Sequence, residues 1–334
     1  MAGSTWRSLL CATAAACSAG HAPRPRSTHA SPRPGWGARL ALAIDVHTTQ
    51  PLVDFPVPIR ITPDRIDLRR IAKDGHDLRF TDGAGVDLPF EIESLTPSHG
   101  AVIWVRISEL AGPTRLLMYF DNPSAPYLDG SEARAVWRAG FSGVFHCVED
   151  GVDSSPAGEA TGVVGTNPAQ GVFGEAFYFA TKKVDALTAT IAPFEGDRTL
   201  CAWVRPDGVD GAARIAGTNG FALERDRAGL RCNGALAPNA LATDAWRFAC
   251  CVHHAGTDVV FVDGIATGRP GHSSDRVAGT AFEVGGRHED PPVKRFAGMI
   301  DEVRMSRVAR TPAWLAAEAA TKGDFVTFGA VEKL

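Results

Sequence analysis

The chain is predicted to be all-β: a small N-terminal β-domain, then a larger sandwich of jelly-roll type, with one short helix near the C-terminus. Three observations lead there. Short apolar runs of four to eight residues recur along the sequence, several alternating large β-formers with polar residues, as strands with one buried face require. Turn signals separate them, among them Asp82-Gly83-Ala84-Gly85 and Asp263-Gly264. Glycine (35) and proline (22) together exceed a sixth of the 334 residues, which suits many short elements joined by turns.

Taken in order, 40–46 and 57–61 are short β-type runs, with prolines placed as edge strands allow. Residues 77–81 form a strand closed by the turn at 82–85. The runs 101–107 (AVIWVRI) and 115–120 (RLLMYF) are rich in bulky β-formers and read as strands; Asp121-Asn122-Pro123 ends the second. Short helices are expected over 66–72 and 131–137. The texture then repeats, with strands at 176–179, 199–204, 220–224, 246–253, 259–262, 282–285 and 298–305. Residues 311–320 (TPAWLAAEAA) carry the strongest helix signal: a threonine N-cap, Pro312 in the first turn, then alanine-rich sequence. Gly323 stops it, and 325–331 supplies a last strand.

An apolar fraction of 45% with 22% charged residues is enough to build a core, and the length suits two domains. A net charge of −4 gives nucleic acid no electrostatic footing, so nucleic-acid binding is set aside. Residues 1–22 resemble an export leader: Arg7 is the only charge, 9–16 are a short apolar stretch, and small residues follow. Ala15-Ala16-Cys17 looks like a weak lipobox that would lipidate Cys17; an alanine-rich start without an address is the alternative. Residues 23–38, rich in proline and arginine, form a linker, and no later stretch is apolar for the eighteen residues a membrane span needs. The expected location is therefore outside the cytoplasm: periplasmic, extracellular, or on the outer membrane as a lipoprotein.

Seven cysteines are present, of which Cys11 and Cys17 fall in the leader. The other five (Cys147, Cys201, Cys232, Cys250, Cys251) lack metal-type spacing. Adjacent Cys250 and Cys251 would face opposite sides of a strand, so one or two disulfides at most could form. Cys201 and Cys250 lie in apolar strands, and they are expected to be free and buried as small hydrophobes.

The second half, 139–334, resembles bacterial LamG-like sandwiches of the concanavalin A-like lectin/glucanase type. The marks stand in the family's order: Thr199 to Pro206 (TLCAWVRP), Trp246 to Val252, Val260-Phe261-Val262-Asp263-Gly264, Val284-Gly285-Gly286, and Phe296 to Arg310 (FAGMIDEVRMSRVAR). Residues 39–138 resemble a small bacterial domain of unknown function. That domain accompanies proton-channel sequences of ExbB/TolQ/MotA type and commonly precedes a LamG-like sandwich. Asp54 to Val57, Asp74 to Asp82 (DGHDLRFTD), Leu88 to Glu93 (LPFEIE), Ile103-Trp104-Val105 and Met118 to Pro123 carry this resemblance, with Phe120-Asp121 where the family has Tyr-Gly.

The resemblance implies a binding or adhesion module of a bacterial envelope, recognising a glycan or a protein, and not an enzyme. Glycosidases of this fold align acids as E-x-D-x-x-E or E-x-D-x-E on one strand, whereas this chain offers only Glu195-Gly196-Asp197 in a turn. Glu91 and Glu93 share a strand face that is expected to be solvated. His253 and His254 are expected to point to opposite faces, and no G-x-S-x-G elbow exists. Two alternatives remain: a carbohydrate-active enzyme of concanavalin-like fold, and a structural accessory of an envelope transport complex. Calcium is the one cofactor with a case, because some LamG-like domains bind it at one rim. Glu149 and Asp153, with Asp301 from the last motif, are the candidate ligands; Pro156-Ala157-Gly158-Glu159 replaces the family's asparagine-rich loop. Trp203 and Trp246 fall on core positions of the family, and Trp314 is expected to anchor the helix.

Overall fold

The structure is a computed structural model that describes residues 33–128, 131–148, 150–159, 161–180, 186–208, 212–278, 281–286 and 295–334. The leader and nearly all of the linker lie outside these residues, as does Glu149. The described residues are all-β apart from two short helices and one 3₁₀ turn.

The first unit packs two sheets face to face. One orders its strands Val326–Lys333, Ala38–Ile44, Thr114–Phe120, Arg79–Asp82 and Asp87–Leu88; the other orders Leu52–Ile61, Gly100–Leu110 and Phe90–Thr96. Leu40, Leu42, Phe55, Val57, Ile59, Phe80, Ile103 and Met118 fill the space between them. Pro56 and Pro58 sit in Leu52–Ile61, an edge strand, where a missing N–H costs no ladder bond. In place of the helix expected over 66–72 there is one 3₁₀ turn, Leu68–Arg70, capped by Asp67. Ile66, Leu68 and Ile71 are all buried, and no single helical face could turn these three inward together.

The second unit is a sandwich of a nine-stranded and a seven-stranded sheet. Strand Arg198–Pro206 explains its layering. Leu200, Ala202 and Val204 enter the core between the two sheets, while Cys201 and Trp203 enter a second core on the other side of the same sheet. A strand buried on both faces reads as a continuous apolar run, and TLCAWV does. That second core also holds the first unit, Phe248, Cys250, Phe261, Trp314 and Leu315. The nine-stranded sheet is therefore a shared wall. The sandwich core lies on one side, and the first unit with helix Pro312–Ala320 lies on the other.

Three further details tie the chain together. Asp263 (φ 51°) and Gly264 (φ 80°) make the tight hairpin turn between Thr257–Val262 and Ile265–Ala266. A Cβ on Gly264 would stand 2.5 Å from the Ala316 Cα, so only glycine lets the helix dock there. The closing strand, expected in the second half, crosses back instead: Val326–Lys333 pairs with Ala38–Ile44 in the first unit.

The cysteines differ from expectation. Cys201 and Cys250 face each other across neighbouring strands and are bonded; Cys251, on the opposite face, is bonded to Cys232 of the other sheet. The alternation that keeps Cys250 and Cys251 apart is what gives each its own partner. Cys147 is free and buried.

Candidate functional site

The expectation that Glu91 and Glu93 face solvent is overturned. Alternation does place both on one face of strand Phe90–Thr96, but that face meets the sandwich. The Glu93 side chain is fully covered. Its Oε2 accepts a 2.8 Å bond from Trp104 Nε1, and its Oε1 has no hydrogen-bond partner among the described residues. Glu91 accepts from Trp137 Nε1 and the Ser154 hydroxyl.

The sandwich supplies the rest of the node. His146 follows strand Phe141–Phe145; its Nδ1 lies 2.8 Å from Glu302 Oε1 and 3.6 Å from Glu93 Oε2, and its Nε2 lies 3.3 Å from Glu91 Oε2. Arg304 donates to Glu302 and, at 2.5 Å, to Glu318 of the C-terminal helix. Its guanidinium also lies over the rings of Trp104 (4.3 Å) and Trp137 (4.9 Å), which desolvates the cation and offsets that cost by cation–π attraction. Trp314 Nε1 donates to the other oxygen of Glu318 at 3.1 Å. Arg310 lies over Trp314 and Phe141, 4.0 and 4.3 Å from the ring centres.

Backbone irregularities aim these groups. The pairing of Gly298–Ser306 with Arg198–Pro206 slips between Asp301 and Arg304, and Glu302 in the slip has φ 52°. A bulge of this kind redirects side chains, and a left-handed glutamate is a strained conformation that surrounding structure must hold. Cys147, next to His146, has φ 58°. Asp301, beside Glu302, is also buried: Oδ2 accepts from Val172 N at 2.7 Å, and Oδ1 has no partner among the described residues.

Burial dominates the protonation of this node. It raises the Glu93 carboxyl well above its usual 4.5, reinforced by the charge of Glu302 and opposed by His146. Burial, then Glu302, likewise lifts Asp301 well above 3.8. For His146 burial acts against the charged ring, but Glu302 and Glu91 outweigh it and hold its pKa well above 6.5. Burial works against ionised Glu302 too, and His146 and Arg304 outweigh it and lower its pKa. Burial brings Arg310 down to about 10.

The three residues proposed for calcium have separate placements. Glu149 lies outside the described residues. Asp153 acts as a loop staple, with Oδ1 accepting from the backbone N–H of Val144 and Ser155 (2.9 Å each) and Oδ2 from the Ser155 hydroxyl (2.9 Å) and Glu159 N (3.1 Å). Asp301 belongs instead beside the node. Among the described residues neither Asp153 nor Asp301 joins a three-ligand group.

Elsewhere, the rings of His253 and His254 do face opposite sides. His253 is fully buried between Asp258 and Asp275, 2.8 Å from each, while His254 is half exposed and pairs with Asp197 at 2.9 Å. The Ser273 hydroxyl lies 3.3 Å from His253 Nδ1, the nitrogen Asp258 also engages. Asp275 takes the other nitrogen, Nε2. Glu195, exposed, lies 3.8 Å from Arg276 and apart from the node. Trp203 is buried and Trp246 half-buried, as core positions require.

Residues 180–316 match the model of the concanavalin A-like lectin/glucanases superfamily, laminin G type, and residues 74–147 match the domain of unknown function DUF2341. No curated protein matches the chain. Among solved structures it is similar to the binding domain of Paraclostridial Mosquitocidal Protein 1 (10% identity, TM-score 0.44, covering 55% of this chain and 52% of that one). It is similar to the botulinum neurotoxin serotype G binding domain (10%, TM-score 0.44, 54% and 50%). A third is the botulinum neurotoxin serotype D ligand-binding domain in complex with N-acetylneuraminic acid (11%, TM-score 0.44, 56% and 52%). The chain thus spans about half the length of these structures. It carries a DUF2341 domain followed by a laminin G-type, concanavalin A-like domain.

Proposed function

We propose that the chain is an exported, non-catalytic binding module of a bacterial envelope that recognises a glycan or an envelope protein. The observation that carries this reading is the placement of the acids. The cluster that joins Glu91, Glu93 and Glu302 to His146 is buried between the two domains, tied into tryptophans and arginines, out of reach of a polymer. Two disulfides among the described cysteines favour an oxidising location. No helix among the described residues is long and apolar enough to cross a membrane.

One wall of the sandwich is already used, because the outer face of the nine-stranded sheet lies under the first domain. The ligand surface is then the outer face of the seven-stranded sheet. Arg231 there pairs with Asp226 beside a shallow depression of about 380 Å³ lined by Ala212 and Asp226 to Ala228. Fixed charges and turn amides of this kind suit hydroxyl or carboxylate groups of a polymer. An array of glycans and envelope polymers probed with the full chain tests the reading. Saturable binding, weakened by Arg227→Ala with Arg231→Ala, is expected; no binding to any polymer or envelope protein extract would sink it.

A further inference from the structure

We propose that Glu93, His146 and Glu302 hold a divalent first-row transition ion, zinc or manganese, that clamps the two domains together. One ligand atom from each of the three lies within 4.8 Å of the others. Metal–nitrogen and metal–oxygen bonds of about 2.0–2.2 Å place ligand atoms roughly 3.0–3.5 Å apart. The 3.6 Å between His146 Nδ1 and Glu93 Oε2 is close to that spacing, and the 2.8 Å to Glu302 Oε1 needs to open by only a few tenths of an ångström.

One feature beside this spacing points to a cation. Glu93 Oε1 is buried without a hydrogen-bond partner among the described residues, a costly state for a carboxylate oxygen unless a cation or proton meets it.

The surroundings already have the form that orients metal ligands. The second nitrogen of His146 faces the Glu91 carboxylate, Trp104 holds Glu93, and Arg304 holds the other oxygen of Glu302. An imidazole among carboxylates suits zinc or manganese better than calcium or magnesium, which prefer all-oxygen cages. Because Glu93 comes from the first domain and the other two ligands from the second, the ion would bind only the docked form and stabilise it.

The test uses the full chain, stripped with chelator and titrated with Zn²⁺, Mn²⁺ or Ca²⁺ while melting and metal content are measured. About one zinc or manganese per chain is expected, with a rise in Tm of about 5 °C and no response to calcium. Glu93→Gln keeps the shape and the Trp104 contact but removes the ligand charge. It should lose the metal response while folding with an unchanged circular-dichroism spectrum. X-ray absorption of the zinc-loaded wild type should show nitrogen and oxygen ligands only. The proposal is overturned by a Tm indifferent to both transition ions, by a Glu93→Gln chain that takes up metal as the wild type does, or by sulfur in the zinc shell. That last outcome would point to reduced Cys232 and Cys251 with Asp258, which also lie within reach of one another.

Discussion

Arg304 touches two glutamates and two indole faces, and no water-exposed position could demand so much of one side chain. Removing it leaves Glu302 and Glu318 buried without their cation, the costly half of a broken buried pair. Arg304→Met should therefore lower stability by about 3–5 kcal/mol in urea denaturation, whereas Arg276→Met, at an exposed pair, should change it by less than about 1 kcal/mol. Acid sensitivity has a separate source. The hydrogen bond from His253 holds the Asp275 carboxyl below its usual 3.8, so its contribution is present above that value and is lost as pH falls through the lower, folded one. Asp275→Asn should make the stability of the chain less steep below pH 4, as read by denaturant midpoints across that range. Of these residues the sequence showed the types and not the setting. Period-two alternation puts Glu91 and Glu93 on one face of a strand, but nothing local says whether that face meets water or a second domain. The better signal was a charge inside an apolar run: His146 after FSGVF, and Asp301-Glu302 between Ile300 and Val303. Buried charges are rare unless partnered, so such interruptions mark a network.

Single elements were the most legible level. Strand Arg198–Pro206, helix Pro312–Ala320 and the Asp263-Gly264 hairpin lie where spacing and turn chemistry put them, because each is decided by neighbours within a few residues. The disulfides were not legible, since pairing depends on which strands become adjacent. Cys232–Cys251 links the two sheets across 19 residues of sequence, and chain entropy gives such a crosslink about 3 kcal/mol. Cys232→Ser with Cys251→Ser should lower the urea midpoint accordingly, and alkylation of Cys232 or Cys251 without reductant, located by peptide mass mapping, would show the bond absent. The helix makes its own prediction. Gly264→Val puts a side chain at φ 80° and against the Ala316 backbone, so it should displace the helix, expose Trp314 and shift its fluorescence to the red.

Across the whole molecule the apolar core does not stop at the domain boundary. Residues of the first domain, the outer face of the nine-stranded sheet and the C-terminal helix form one buried cluster, and the last strand returns to pair with Ala38–Ile44. Domains joined this way should unfold together, giving a single calorimetric transition; two separated transitions would contradict that coupling. The sequence pointed to both domains through local motifs, while their docking, and with it the sealing of the acid cluster, depends on contacts distant in sequence, such as Arg60 with the Lys322 and Gly323 carbonyls. Binding without catalysis, which we propose, is tested by incubating the full chain with a panel of polysaccharides and envelope polymers and following reducing ends over time. Polymer retained with no new reducing ends is the expected result. Release of products that disappears in Glu91→Gln or Glu93→Gln, with folding intact, would contradict it.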